Sequence, residues 1–285
     1  MDFGITTAFS HHTPIEQIVG TAQRIEAAGF TTVWVPEHVL FFPEYASAYP
    51  YSDDGKVPGD PDGVLDPFSA LTFVAAHTST LRLGTGICLV PQRQPVYTAK
   101  AVADLDYLSG GRVDFGIGIG WLAEEFDALG MDFSARARRC SEYVAAMKAL
   151  WGVDPVTFEG ETVSIRNAQA NPKPAQDPHP PILIGGESEP ALRRVAAFGD
   201  GWYGFNLSPE QLAERLVSLD THLDAAGRSR GEVTVVASPG RNRIDPSAAA
   251  AYAEAGADQL VLPLFGRDLD DVDRRLASLV EITSA

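Results

Sequence analysis

RLGTGICLVPQRQPVYTAKAVADLDYLSGGRVDFGIGIGWLAEEFDALG, residues 82–130, holds two strand–loop–helix units in succession. An apolar, strand-like run over 81–89 closes at Pro91. Pro95 then opens a helix, since proline suits a first turn whose N–H has no partner anyway. Ser109-Gly110-Gly111 ends that helix. A second apolar run, 113–117, leads straight into Gly118-Ile119-Gly120-Trp121. Repeated β-then-α units of this size predict a parallel sheet covered by helices. Such folds carry their chemistry in the loops after the strands. The stretch therefore supplies two segments of one rim, 88–93 and 118–125.

The same rhythm extends both ways. A strand over 3–8 precedes a helix over 13–28, with Pro14 in its first turn and Gly29 as its stop. A strand over 32–35 follows. Residues 36–64 are rich in aromatics, Asp, Gly and Pro, and a loop of that length in a compact domain is functional or mobile. Asp66-Pro67 starts a helix to 77, and 136–150 reads as another long one. Residues 151–181 break the pattern: 156–158 and 162–165 flank Glu159-Gly160-Glu161 as a small hairpin. The run NPKPAQDPHPP after it suits neither helix nor central strand. Strands at 182–184, 201–205, 233–237 and 259–262 then alternate with helices at 190–198, 209–226, 246–255 and 269–282. Eight units predict an α/β fold, a (β/α)8 TIM barrel forming a single domain over 1–285, with an insertion around 151–181. An open doubly wound sheet has fewer units and a Gly-rich loop after its first strand; residues 8–13 here contain no glycine.

Composition narrows the partners. The chain is 45% hydrophobic, enough for a large core, and its net charge of −16 gives a generally acidic surface. Such a surface repels nucleic acid and anionic lipid, so neither is expected as a partner. Cys88 and Cys140 form no metal spacing and no disulfide framework; a buried structural thiol at Cys88 and a reducing cytosol fit. The start, MDFGITTAFS, has no basic segment before an apolar run, so no signal peptide is expected. No apolar run is long enough for a membrane helix, and the expected location is cytoplasmic.

The residues just after each strand define the candidate rim. They are Phe9 to His12, Glu37-His38, Gln92-Arg93, Gly118 to Trp121, Gly185 to Ser188, Asn206, Ser238 to Arg241 and Phe265 to Arg267. The set is poor in nucleophile–base pairs and rich in glycine and aromatics, which suits a flat anionic organic cofactor. Gly185-Gly186-Glu187-Ser188 precedes a helix, where glycines let a phosphate approach free N–H groups. The plainer alternative is a tight turn with Ser188 as helix cap. Gly118-Ile119-Gly120 resembles part of a dinucleotide fingerprint, but the third glycine is missing and a middle strand precedes it. A backbone passing close to a flat ring is the better reading. Glu37-His38 is the best polar pair: a histidine side chain can donate a hydrogen bond or move a proton. Glu37, its neighbour in an extended segment, points elsewhere, toward cofactor or backbone. His11, His12, Glu37 and His38 share the rim but include no i,i+4 ligand pair, so no metal is expected.

WVPEH (34–38), GTGICLVPQRQP (84–95), LSGGRVDFGIGIGW (108–121), AEEF (123–126), the NPKPAQ…PPILIGG run (171–186) and GDGW (199–202) together resemble the bacterial luciferase-like flavin monooxygenase superfamily. Within it they are most similar to the F420-dependent oxidoreductases. The resemblance implies a TIM barrel with a deazaflavin or flavin across its C-terminal rim. It makes Glu37-His38 the acid–histidine pair beside the ring, and Gly86-Ile87 a bulge with a cis peptide bond behind it. Gly118, Ile119 and Gly120 would flank the ring, and Gly185, Gly186, Glu187 and Ser188 would form the phosphate loop. It also implies a homodimer. One departure stands out: the proton-donor glutamate of the sugar-phosphate dehydrogenase members falls at Trp121, so sugar-phosphate oxidation is not expected. The resulting reading is an F420-dependent oxidoreductase moving a hydride to or from the deazaflavin C5, acting on a small organic substrate. His38, Glu37 and Trp121 are its catalytic candidates, Trp121 as an aromatic wall. The rivals are a two-component FMN monooxygenase, a flavin-binding protein without turnover, and a metal hydrolase.

Overall fold

Eight parallel staves close on themselves. In chain order they begin with β1 (Asp2–Thr6), β2 (Thr32–Val35) and β3 (Arg82–Thr85), the last continued by β4 (Cys88–Leu89). They go on with β5 (Val113–Gly118), β8 (Ile182–Gly185), β9 (Gly201–Phe205), β10 (Thr234–Ser238) and β11 (Gln259–Pro263). The ladder runs β3-β2-β1-β11-β10-β9-β8-β5, and a β3–β5 pairing (Leu83 opposite Val113) closes the ring. This is the expected TIM barrel. The protein's structure is a computed structural model that describes residues 1–58 and 61–283. Gly59 and Asp60 of the expected long loop, and Ser284 and Ala285 at the end of the expected domain, lie outside the described residues.

Alternation along each strand sorts side chains between two cores. Val33 and Val35 face outward into the large layer between sheet and helices, whereas Trp34 faces inward and packs with Leu183, Tyr203, Val236 and Val261 in the barrel interior. The Trp34 indole N–H donates to Gln259 Oε1 at 2.9 Å, which satisfies its one polar atom where water is excluded. The indole explains one glycine, and a neighbouring carbonyl explains another. A Cβ at Gly84 would stand 2.3 Å from its ring, and one at Gly116 would meet the Thr85 carbonyl at 2.1 Å. These glycines make room inside the barrel and do not line its mouth.

The helices begin and stop on the expected signals. Asp66 caps α2 (Pro67–Ala75) by accepting from the Ser69 N–H, and α3 (Pro95–Ser109) ends on Gly110 at φ +71°. The hairpin of β6 (Val156–Glu159) and β7 (Ser164–Ala168) forms its own antiparallel pair in the expected insertion. The third stave interrupts the apolar run 81–89 at the bulge and cis bond that the resemblance implies. It breaks after Thr85, leaves Gly86 and Ile87 out of the ladder with a cis bond between them, and resumes at Cys88 opposite Ile117. None of the described helices is long and apolar enough to cross a membrane.

Candidate active site

Glu37 and His38 leave the end of β2 in opposite directions. Glu37 turns under the rim and is buried. Its carboxylate accepts from the Leu89 N–H at 2.5 Å and from the Arg93 guanidinium, which also grips Asp66 at the start of α2. Glu37 thereby ties three rim segments together. Cys88 lies beside it, fully buried; burial, reinforced by the Glu37 charge, pushes its thiol well up, so it is unreactive.

His38 stays at the mouth, with 16% of its side chain exposed. Its Nδ1 lies 3.1 Å from Oε2 of Glu125, on the short helix α4 (Ala123–Ala128). Glu125 is completely buried and fully used: Oε1 accepts from the Val39 N–H at 2.5 Å and the Leu40 N–H at 3.0 Å, and Oε2 also accepts from Gln92 Nε2 at 2.9 Å. Burial alone would raise its pKa, but His38 and these donors outweigh it and hold the carboxyl below its ordinary value. Glu125 is therefore an anion facing the imidazole. A neutral imidazole carries one N–H, and a carboxylate accepts but does not donate, so that proton sits on Nδ1. The Nε2 edge then faces away from Glu125, and among the described residues it has no hydrogen-bond partner.

The loop after His38 folds over the mouth. Glu124, next to Glu125, accepts from the Ala46 and Ser47 N–H groups and from the Ser47 hydroxyl. Aromatic rings continue the cover: Trp121 meets His38, Tyr45 and Tyr49 edge-on at 5.8, 5.7 and 5.2 Å between centroids. Tyr51 reaches the far side, where its ring meets Phe205 at 4.7 Å and its hydroxyl donates to Glu187 Oε2 at 2.9 Å. Glu187 also accepts from the Phe205 N–H; burial raises its pKa, a rise these two donors only partly offset. Its carboxylate is thus engaged with the loop and with β9.

The glycines at the mouth divide by what they face. Ile87, at the break in the third stave, points its Cδ1 between Gly118 and Gly185; a Cβ at these positions would stand 2.0 and 2.7 Å from that atom. Gly120 (φ +80°) turns the chain from β5 into α4, and a Cβ there would meet the Phe126 ring at 2.8 Å. Gly186 (φ +107°) leads to Ser188 and α6 (Glu189–Phe198), and its carbonyl accepts from the Trp202 indole at 2.9 Å. Ser188 makes no side-chain cap bond, so its hydroxyl is uncommitted to the helix. Ile119 is half-buried against the outer core.

Glu124, Glu125 and the three tyrosines were not among the expected site residues. AEEF was visible as a motif, but nothing in its spacing says that both acids hold a loop some eighty positions earlier. His11, His12, Glu37 and His38 share the expected rim by sequence, with no ligand set expected of them, and among the described residues the four do not come together. His11 and His12 meet Asp62 instead, all three exposed, with the His12 Nε2 2.9 Å from the carboxylate.

A closed parallel barrel with an anchored histidine, an aromatic wall and a glycine-lined mouth belongs to the barrel enzymes that work at the C-terminal ends of their strands. The profile of one family, luciferase-like monooxygenase, matches residues 1–284. An uncharacterized protein of Mycobacterium tuberculosis is 34% identical over 264 residues, 90% of this chain and 92% of the relative. The chain therefore belongs to the luciferase-like monooxygenase family. Three solved structures share the fold. The monooxygenase RslO1 from Streptomyces bottropensis has a TM-score of 0.79 at 22% identity, covering 99% of this chain and 98% of its own. An F420-dependent secondary alcohol dehydrogenase in complex with an F420–acetone adduct gives 0.77 at 18%, with coverage of 99% and 98%. A type II Baeyer–Villiger monooxygenase of Pseudomonas putida in complex with FMN gives 0.75 at 15%, with coverage of 100% and 97%. The neighbours thus include both F420- and FMN-binding proteins.

Proposed function

We propose that this protein is an F420-dependent oxidoreductase that exchanges a hydride with a small organic substrate. The observation that carries the reading is His38, anchored at Nδ1 by a buried carboxylate, with its ring against Trp121 and its Nε2 without a hydrogen-bond partner among the described residues. Hydride exchange with a carbonyl or alcohol must be matched by a proton gained or lost at oxygen, which calls for one acid–base group at the reacting centre. His38 fills that role in either direction: neutral, its bare Nε2 takes a proton from an alcohol; protonated, it gives one to a carbonyl oxygen. Bound F420 would supply the hydride-exchanging carbon.

The residues present fit such a group. No Cβ stands at Gly185 or Gly186, and the Ser188 hydroxyl with the Glu189 N–H at the start of α6 would meet its phosphate; Pro190 carries no N–H, and those of Ala191 and Leu192 donate to the Ser188 carbonyl. Ile87, seated on Gly118 and Gly185, would back the flat ring. Trp121, Tyr45 and Tyr49 would wall the substrate side and keep water from it. Glu37 would serve by fixing the backbone at Leu89 and the Arg93 side chain, not by touching the reacting atoms.

Side-by-side fluorescence titrations with F420 and FMN test the reading. F420 should bind at least about tenfold more tightly, about 1.4 kcal/mol. Equal or reversed affinity would favour the FMN monooxygenase, the reading that the FMN-bound neighbour supports.

A further inference from the structure

We infer that Glu125 is a positioning residue whose one carboxylate both seats the loop over the mouth and sets which nitrogen of His38 faces the substrate. The inference rests on the assignment of His38 as the acid–base group, and it adds a residue to that site.

The geometry leaves the carboxylate little freedom. Oε1 is occupied by two consecutive backbone N–H groups, Val39 and Leu40, the residues directly after His38. Oε2 is occupied by Gln92 Nε2 and by His38 Nδ1. Every partner of the carboxylate is a donor, so only an acceptor with no proton of its own can stand there. Gln92 supports the carboxylate and not the ring: its Nε2 donates to the same oxygen, at 2.9 Å. The loop and the imidazole are thus fastened to opposite oxygens of one group. When residues 39–40 are in place, the ring is held with its Nδ1 proton on Glu125 and a bare Nε2 outward. If the loop swings away, the same carboxylate loses the contacts that fix its orientation, and His38 loses its tautomer control. Cover and acid–base readiness are one event.

Glu124 is the natural comparison. It holds the same loop at Ala46 and Ser47 but makes no contact with His38. A residue that only anchors the loop should behave as Glu124 does.

Glu125→Gln makes the distinction. Its amide oxygen can still accept from Val39 and Leu40, but its NH2 would face His38 Nδ1. That contact survives only if Nδ1 gives up its proton, so the proton moves to Nε2. Protonated and bare ring nitrogens have separate 15N frequencies, so the tautomer is read directly at alkaline pH, without cofactor or substrate. His38→Asn identifies the signal among the six histidines. The expected result is Nδ1–H in the parent protein and in Glu124→Gln, and Nε2–H in Glu125→Gln. An Nε2–H tautomer in the parent protein overturns the inference, and this needs no variant to fold. An unchanged tautomer in a folded Glu125→Gln, or the same inversion in Glu124→Gln, overturns it as well. Failure of F420 to bind would remove the functional reading while leaving these spectra as they are, so the two failures are distinguishable.

Discussion

Ile87 is pinched between two glycines, and the pinch can be measured. Gly118→Ala would place a Cβ 2.0 Å from Ile87 Cδ1, far inside van der Waals contact. On its other side the tip already lies against the Gly185 backbone, close enough that a Cβ built there would stand 2.7 Å from the same atom, so it has little room to shift that way. It must leave its seat and enter the mouth. Overpacking of this kind costs about 1–3 kcal/mol. At roughly 2–4 °C per kcal/mol for a chain of this size, Tm should fall by about 2–12 °C. Ile87→Val alone removes the offending methyl from a partly buried side chain and should cost about 0.5–1.5 kcal/mol. Together the two changes relieve each other. The next-nearest Ile87 atom, Cγ1, would be 3.1 Å from the new Cβ, a contact that relaxes by a few tenths of an ångström. The double variant should therefore be about as stable as Ile87→Val, with a favourable coupling of about 1–3 kcal/mol, the whole cost of Gly118→Ala. Thermal unfolding of the four proteins measures that coupling, and F420 titration of the same set asks whether the displaced tip spoils the ring's support. Strict additivity would refute the pinch and leave Gly118 without the packing role assigned to it.

Three further outcomes follow from single contacts. Gly186→Val puts a β-branched residue at φ +107°, a strain of about 1–2 kcal/mol, and obstructs the proposed phosphate loop; F420 affinity should drop at least about tenfold while circular dichroism stays that of a folded barrel. Tyr51→Phe removes the 2.9 Å bond to Glu187, worth about 1 kcal/mol, and should speed proteolytic cleavage within 39–58; an unchanged rate means the bond does not hold the loop. Glu125 has its folded-state pKa below the ordinary value of 4.5, so its contribution to stability is full above that pH and is lost as pH falls through the lower folded value. The Tm gap between the parent protein and Glu125→Gln should accordingly be widest above pH 4.5 and narrow below it, and a gap that widens on acidification would contradict the assignment.

The barrel was legible because its signals are local. Pro95 and Gly110 bracket α3 by backbone chemistry alone, and the apolar runs at 113–117 and 182–184 fall where β5 and β8 form. The site was legible only where it follows the rim: His38, Trp121 and the two glycine segments all stand at strand ends. What stayed hidden depends on side chains reaching across the mouth. Residues 36–64 read as a long aromatic loop, but no period or cap says that Tyr51 will meet Glu187, or that Ser47 will meet Glu124. Gly84 and Gly116 carry no such local signal either: their missing Cβ atoms answer to Trp34 and to the Thr85 carbonyl inside the barrel.

The GIGIGW segment acts on His38 from a distance, through the backbone. Gly118 ends β5 by admitting Ile87, and Gly120 adopts the left-handed turn that sends the chain into α4. The direction of α4 depends on Phe126, fully buried, whose ring occupies the space a Cβ at Gly120 would need and packs against Phe133 at 5.2 Å. Because Glu124 and Glu125 precede Phe126 on the same short helix, seating that ring aims both carboxylates at the loop, and only Glu125 reaches the imidazole. A side chain at position 120 would displace Phe126, tilt α4 and pull Oε2 from Nδ1, although residue 120 touches neither the loop nor His38 in the contacts described. The segment that resembles a dinucleotide fingerprint is thus the device that carries barrel geometry to His38, the proposed acid–base group.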